Sequence, residues 1–403
     1  MTLVTLALRS LGSRRVPTAL TICSVALGVA MLAGVDLVRR GARAAFDGAL
    51  SGTDLVVGAR GAPQALVLGT VYGIGQPQGT LSPAAQARIA AHPAVAWTAP
   101  VALGDNVRGL RVLGTTPALL RHWRYRGDRT LRLTAGDTLA GPRDAVLGAT
   151  AAATLGRGVG DTLTLAHGLL DSDLAAHEGH PLRVAGVLAP TGTPLDRTVL
   201  VTLDGLAQAH EDGLSAPVAP GTASALLVGL RARRDALRLK AELERDIAEP
   251  LTAALPGLVL AQFWRDLGVF ERTLELLGAA AVLLALLGML AALLTALDGR
   301  RRELAVFRAL GARPATIVTL LLLEACCVSV LGSAAGLGVV YLGAAAAGGA
   351  VERAFGVPLA VAAPDLRTLA TLAAIVAAGT LAGLWPAWRA YRTSLADGLV
   401  TRT

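Results

Sequence analysis

Four apolar runs punctuate the chain, at 18–38, 274–297, 315–351 and 367–388. Each reaches the length of about 20 residues that a helix needs to cross a hydrocarbon core. The third is longer than one span requires. It is expected to tilt, to project from the membrane, or to break in its glycine-rich second half at Gly343, Gly348 and Gly349. Between the first two runs lies a mixed stretch, 39–270, with a different periodicity. Short β-branched or alternating segments predict strands at 54–57, 107–113, 145–147, 162–165, 182–188, 198–202 and 225–230. Helical patterns fall at 83–91, 150–155, 204–210 and 233–248. Glycine and proline separate them, as in Pro190-Thr191-Gly192-Thr193-Pro194. The expected fold is an α-helical membrane protein with four transmembrane helices and a large α/β extracytoplasmic domain inserted between helices 1 and 2. A stretch of this length can bury its own core and hold two subdomains. The arginine- and glycine-rich segment 105–137 reads as irregular and marks the seam between them.

Charge orients these spans. Arg9, Arg14 and Arg15 precede the first run, and five arginines (Arg300, Arg301, Arg302, Arg308, Arg313) separate the second from the third. Arg389, Arg392 and Arg402 follow the fourth, whereas the short loop 352–366 sets Arg353 against Glu352 and Asp365. With four spans, all three basic clusters share one face, which the positive-inside rule makes cytoplasmic. Both termini are then cytoplasmic, and 39–270 and 352–366 lie outside. Residues 1–17 read as an interfacial amphipathic helix, with Leu3, Leu6 and Leu11 opposite Arg9 and Arg14. The first run is expected to stay as an anchor. Its apolar part is long, and Arg39-Arg40 follows it where a signal peptide would carry a small-residue cleavage site.

Composition agrees with this layout. The chain of 403 residues is 53% hydrophobic, with a mean hydropathy of +0.56. Its net charge of +8 raises the question of nucleic acid, but only 3% of residues are aromatic and the arginines flank the apolar runs. Membrane lipid headgroups, rather than a nucleic acid, are the expected partner of that charge. Cys23, Cys326 and Cys327 all fall within spans, so the outer domain has no disulfide.

The loop between the second and third runs carries more than topology. Within 298–314, Leu304, Phe307, Ala309 and Leu310 form one apolar stripe, flanked by Arg302, Glu303 and Arg308. Gly311 suits a helix C-cap, and Arg313-Pro314 opens the next helix. Such a helix is built to seat in a groove of a partner. The layout of one span, a large outer domain and three spans, together with RRRELAVFRALGARPATIVTLLLLEA from Arg300 to Ala325, resembles the FtsX-like permeases of the MacB/LolC type (type VII ABC transporters). DAVLGATAAATLGRGVGDTLTL from Asp144 and HPLRVAGVLAPTG from His180 are similar to that family's MacB-like periplasmic core domain. The resemblance covers nearly the whole chain.

The resemblance implies a permease subunit in a bacterial inner membrane, with the 298–314 segment as coupling helix. It also implies a separate cytoplasmic ABC ATPase and a second permease copy, identical or not. A periplasmic adaptor or lipoprotein is a further implied partner. Its cargo would be a lipoprotein, peptide, siderophore or metal complex; the alternatives are signalling to a periplasmic cell-wall hydrolase and a stand-alone membrane sensor. In the MacB subtype an ATPase is fused at the N-terminus. None is expected here, because the first span begins near residue 18 and the sole lysine, Lys240, lies in no glycine-rich phosphate loop. Neither an enzyme activity nor a cofactor is expected on this chain; ATP and Mg belong to the partner.

Three further features carry alternatives. Glu324 is an acid inside a span. It is a proton or substrate contact, or a buried carboxylate paired with Arg308 or Arg313 near the inner interface. Gly332 and Gly336 form a GxxxG pair suited to close helix approach, either to the second permease copy or within the chain. His167, His177 and His180 flank a loop with Asp171, Asp173 and Glu178, a weak candidate for metal beside the reading as a solvated turn. No Ser/His/Asp, Cys/His or paired-carboxylate constellation marks a hydrolase.

Overall fold

The computed structural model describes residues 15–49, 51–75, 79–167, 181–209, 221–246, 248–299, 313–355 and 363–392. The chain divides into two compact units, one of residues 1–39, 268–349 and 359–403, which holds most of each candidate membrane span, and the other of residues 40–267 and 350–358. Helix α1 (Arg15–Asp47) begins in the first unit. The second unit continues with β1 (Leu55–Ala59) and α2 (Pro63–Val67), which widens into a π-helical turn at Leu68–Tyr72. Then come α3 (Pro83–Ala90), β2 (Val95–Val107), β3 (Leu110–Thr115) and α4 (Pro117–His122). A small hairpin of β4 (Arg124–Tyr125) and β5 (Arg129–Thr130) leads to β6 (Leu133–Gly136), β7 (Asp144–Leu147) and α5 (Ala149–Leu155). The unit ends through β8 (Thr162–Leu163), β9 (Ala166–His167), β10 (Leu182–Leu188), β11 (Thr198–Thr202), α6 (Leu203–Ala209), β12 (Ala225–Leu230), α7 (Ala236–Glu244) and β13 (Leu251–Ala254).

One sheet organises this unit, in the order β13-β1-β12-β2-β3-β11-β7-β10-β6. Most neighbours are antiparallel, but β11 runs parallel to β3, and β10 to β7. Side chains alternate between its two faces with period two, and both faces are buried. Val56, Leu113, Val146, Leu200 and Leu227 all enter one apolar cluster that spans the sheet. Their neighbours point the other way and fall into two separate clusters. Leu55, Val57, Leu226 and Val228 form one; Val112, Leu147, Val199 and Val201 form the other. The two part along β2, where Val95 joins the first and Ala102 the second. Two half-domains thus share one sheet, and the sheet passes unbroken through the segment expected to be irregular.

The expectation for 107–113 is corrected here. It is the end of β2, a turn and the start of β3, with Val107 opposite Leu110. Both turn residues have positive φ, Arg108 at 47° and Gly109 at 75°. That is the conformation that a two-residue hairpin needs to match strand twist. Asn106 holds it by accepting from the Gly109 amide at 3.1 Å. Arginine is an uncommon residue at positive φ, which hid the turn. The rest of 105–137 is ordered as well, in α4 and β4 to β6.

Two buried carboxylates tie loops to the sheet. Asp196 accepts from the Thr191 amide at 2.9 Å, the Thr191 hydroxyl at 2.7 Å and the Gly192 amide at 2.7 Å. These bonds close the Pro190–Pro194 turn. Replacing Asp196 with alanine orphans the buried Thr191 amide and the half-buried Gly192 amide, and hydrogen bonds to a charged group are worth about 1.5–3 kcal/mol each. Asp196→Ala is expected to lower the thermal midpoint of the full chain by several degrees, read by tryptophan fluorescence; an unchanged midpoint would remove this role. Burial acts to raise the Asp144 carboxyl, but the Gly141 and Ala140 amides and the Arg183 guanidinium outweigh it and hold the group below the usual carboxylate range. A depressed carboxylate stabilises the fold fully above its unfolded value, about 3.9, and loses that contribution as pH falls through the folded one. Wild type and Asp144→Asn are therefore expected to differ in midpoint at neutral pH and to converge as the solution is made more acidic than the usual Asp range; a constant difference would contradict it.

The other unit is helical. Helix α8 (Pro256–Gly299) starts in the α/β unit and continues into the first, followed by α9 (Pro314–Phe355), α10 (Leu366–Ala382) and α11 (Leu384–Arg392). Four helices, around α1, α8, α9 and α10, are long and apolar enough to cross a membrane. Helix α9 is unbroken through Gly343, Gly348 and Gly349, and its 42 residues span about 63 Å at 1.5 Å per residue. The fourth candidate span, Leu366–Arg389, holds both α10, which stops at Ala382, and α11, which resumes after Gly383. Pro386 explains the break: it has no amide to offer the Ala382 carbonyl.

Candidate functional site

The candidate coupling segment joins α8 to α9. Its residues Arg302, Glu303, Leu304, Phe307, Arg308, Leu310 and Gly311 lie outside the described residues. Arg313 is described and exposed, and its carbonyl accepts from the Thr316 amide at 2.9 Å as α9 begins. Three helices meet near the described ends of α8 and α9. Leu297 of α8, Ile317 and Leu321 of α9, and Ala387 of α11 bury one another in a compact cluster. On α11, the exposed rings of Trp385 and Trp388 lie 5.8 Å apart, as aromatic anchors do at a membrane surface.

Within the bundle, Glu324 is 4% exposed, next to Ala325, which packs with Met289 and Val328. Of the two arginines considered as its partner, Arg308 is outside the described residues and Arg313 is exposed. Gly332 and Gly336 face α1. A Cβ at Gly332 would lie 2.7 Å from Val25 Cβ, and one at Gly336 would lie 2.4 Å from the Ala26 carbonyl oxygen. The pair therefore permits α1 and α9 of one chain to meet closely, Gly332 against the Val25 side chain and Gly336 against the Ala26 backbone. His167 stands opposite Asp105 in the β9–β2 pairing, while His177 and His180 lie outside the described residues. Among the described residues no group of three or more His, Cys, Asp or Glu could hold a metal ion.

Two arrangements escaped the sequence. The first is a polar junction at the bundle end where α1 leaves, α8 enters and α10 begins. Arg39 pairs with Asp36 on α1 and reaches Glu271 on α8 at 4.0 Å. Arg367 of α10 bonds Glu275 of α8 at 3.1 Å. The Thr368 hydroxyl lies 3.3 Å from Asp36, and its amide donates to Asp365, the N-cap of α10, at 2.9 Å. The Arg367–Glu275 pair is more than a third exposed on both sides, so it adds at most about 1 kcal/mol. The junction sets register among three helices more than it adds stability.

The second is an aromatic clasp within the α/β unit. Phe46 of α1 stacks on Tyr72 at 4.4 Å and on Phe263 of α8 at 5.7 Å, with Trp264 edge-on at 5.6 Å. Tyr72 donates its hydroxyl to the Phe46 carbonyl at 2.7 Å, and the Arg43 guanidinium lies 5.3 Å from the centre of the Trp264 ring. Val259 and Leu260, one turn earlier on α8, belong to the large sheet cluster. The first turns of α8 and the last turn of α1 are thereby packed into the α/β core. The nearby π-helical turn is pinned by Arg111, whose guanidinium donates to the carbonyls of Gly69 and Thr70, each at 3.2 Å. Burial lowers that guanidinium to about 10, still cationic at neutral pH.

Comparison with known proteins follows the same division. Residues 18–246 match the MacB-like periplasmic core domain, and residues 276–395 match the FtsX-like permease C-terminal domain. Among solved structures, the periplasmic region of MacB from Actinobacillus actinomycetemcomitans is 10% identical, with a TM-score of 0.36, covering 53% of this chain and 94% of that one. The extracellular domain of the noncanonic ABC-type transporter YknZ from Gram-positive bacteria is 11% identical, with a TM-score of 0.33, covering 50% and 98%. A domain of a putative permease from Porphyromonas gingivalis is 15% identical, with a TM-score of 0.30, covering 51% and 89%. No curated protein matches. Four membrane-length helices, an α/β domain between the first two, and family matches over both parts make this chain a membrane-embedded permease of the FtsX-like, MacB-type ABC transporter family.

Proposed function

We propose that this permease converts ATP hydrolysis on a separate cytoplasmic ATPase into movement of its α/β domain on the far side of a bacterial inner membrane. The observation that carries the proposal is α8, one 44-residue helix. Its last residue precedes the coupling segment, and its first turns are packed in the α/β core through Val259, Leu260, Phe263 and Trp264. A helix of that length is about 66 Å long, and a push at one end is felt at the other. Helix α1 is the second rod, clasped to the first at Phe46. The arginine distribution supports placing the coupling segment and both termini in the cytoplasm. Apolar side chains such as Val25, Val282, Met289, Val328 and Ile375 outnumber the buried Glu324, Ser329 and Ser333 in the bundle interior, which favours mechanical work over passage of a polar solute through the chain. Extraction or export of a periplasmic or lipidic cargo is the favoured output.

Affinity purification of the tagged chain in mild detergent, followed by mass spectrometry, tests the reading. A stoichiometric ATPase is expected, beside any adaptor that works with the outer domain. An intact, folded preparation that brings no ATPase would favour a stand-alone sensor.

A further inference from the structure

From the last turn of α4 through β4 and β5, the α/β unit carries a strongly basic hairpin. Over 121–132 it sets five arginines (Arg121, Arg124, Arg126, Arg129 and Arg132) against one acid, Asp128. Asp128 pairs with Arg124 at 3.5 Å. Arg121, Arg126, Arg129 and Arg132 are exposed, and among the described residues no acid pairs with any of them. Burial, then the Arg121 and Arg124 guanidinium groups, push the His122 imidazole down, so it is neutral at pH 7 and adds no charge. We propose that this hairpin is a membrane foot: it rests on the bilayer surface, where its arginines bind the phosphates of anionic phospholipids.

Position chooses the partner. The hairpin is fastened to the residues that follow α1. The Arg126 amide donates to the Gly48 carbonyl at 2.8 Å, the Ser51 amide to the Arg124 carbonyl at 3.0 Å, and the Gly127 amide to the Ser51 hydroxyl at 3.1 Å. The stems of Arg124 and Arg126 lie against Gly52 and Gly48, where an added Cβ would come within 3.0 and 3.2 Å of their Cγ atoms. Helix α1 carries the first apolar run without a break to Asp47. From Val38, which ends that run, to Gly48 is about 15 Å along the helix at 1.5 Å per residue. The headgroup layer fills roughly 5–8 Å of that distance, and the remainder is close to one Debye length at physiological salt, about 8 Å. Arginines held there feel the charge of the bilayer surface, and the guanidinium fork matches a phosphate in shape as well as charge. The aromatic clasp on Phe46 sets Tyr72 and Trp264 beside the same stretch of α1, and these residue types collect at membrane–water interfaces. The positive-inside rule is no obstacle, since it governs short loops and not long translocated domains. The foot rests on the proposed orientation only for its leaflet, which is then the outer one.

Hydrogen exchange on the full chain in lipid nanodiscs tests the foot. One set of discs holds phosphatidylcholine alone, and the other mixes in phosphatidylglycerol with the same acyl chains. Peptides covering 121–132 are expected to exchange about fivefold more slowly in the glycerol discs, the factor that one arginine at an anionic surface contributes. Peptides covering the buried strand at 182–188 serve as the control and are expected to be unchanged. Raising the salt to about 1 M, where the Debye length falls to about 3 Å, is expected to erase the difference. The combined variant Arg121→Gln, Arg129→Gln and Arg132→Gln is expected to erase it too; Arg124 and Arg126 are kept because their stems pack on glycine backbone. The salt comparison uses wild type, so it decides the matter even if the variant misfolds. Equal exchange of 121–132 in the two discs would overturn the proposal and leave the arginines to an acidic protein partner. A difference that persists at high salt or in the folded variant would overturn it as well. No ATPase is needed, so failure here leaves the coupling reading standing, and failure of that reading leaves this test intact.

Discussion

Glu303→Arg combined with Leu304→Asp is expected to abolish capture of the ATPase while the permease still inserts in the membrane. The two changes act on different terms of one interface. A helix over this segment would set Leu304 on one apolar stripe with Phe307 and Leu310 by spacing alone, and a helix seated in a groove takes most of its affinity from a few such anchors. An aspartate there is desolvated without a partner, which costs several kcal/mol. Glu303 is the one acid among five arginines between Gly299 and Arg313, and reversing it turns any matched pair into repulsion. Together they are expected to lower recovery of the ATPase by at least about a hundredfold, taking 1.4 kcal/mol per factor of ten. The check is a pull-down from detergent extract, with the membrane fraction measured alongside. Normal recovery of the ATPase would reduce the segment to a loop that only fixes topology.

Val269→Pro is expected to do the opposite: the ATPase binds and hydrolyses ATP, but the α/β domain no longer responds. Val269 lies on α8 and is 66% exposed, so little packing is lost. Proline there removes a helical hydrogen bond and clashes with the preceding turn, at a cost of about 3 kcal/mol, and leaves a kink. A rod with a hinge transmits less displacement. The expected signature is retained ATPase activity with loss of cargo release. Val269→Ala, which keeps the helix, is expected to behave as wild type. Full output from the proline variant would show that α8 does not act as a rod.

The apolar runs were legible because they rest on a local rule, membrane length. The strands at 182–188, 198–202 and 225–230 were legible for a similar reason, since glycine and proline bound short apolar segments. Strand β2 was not. Pro100 and Gly104 interrupt its pattern, yet they are accommodated in a 13-residue strand whose register shifts between Leu103 and Asn106. The reach of α8 was also hidden. Arg265, Asp266, Glu271, Arg272 and Glu275 end the apolar run, and a membrane-length criterion stops there. The helix continues because its outer turns pack on protein instead of lipid. The polar junction was illegible in principle, for Asp36, Glu275 and Arg367 meet only when helices far apart in sequence are side by side. The aromatic clasp is similar: Phe46, Tyr72 and Phe263 share no spacing rule.

Hydrogen exchange on the intact permease–ATPase assembly, with and without ATP, addresses the transmission claim itself. The account predicts a nucleotide-dependent change in amide protection around the aromatic clasp, in peptides covering 43–49, 68–73 and 256–267, and its loss in Val269→Pro. An ATPase that turns over while those peptides exchange at the same rate in both states would contradict it.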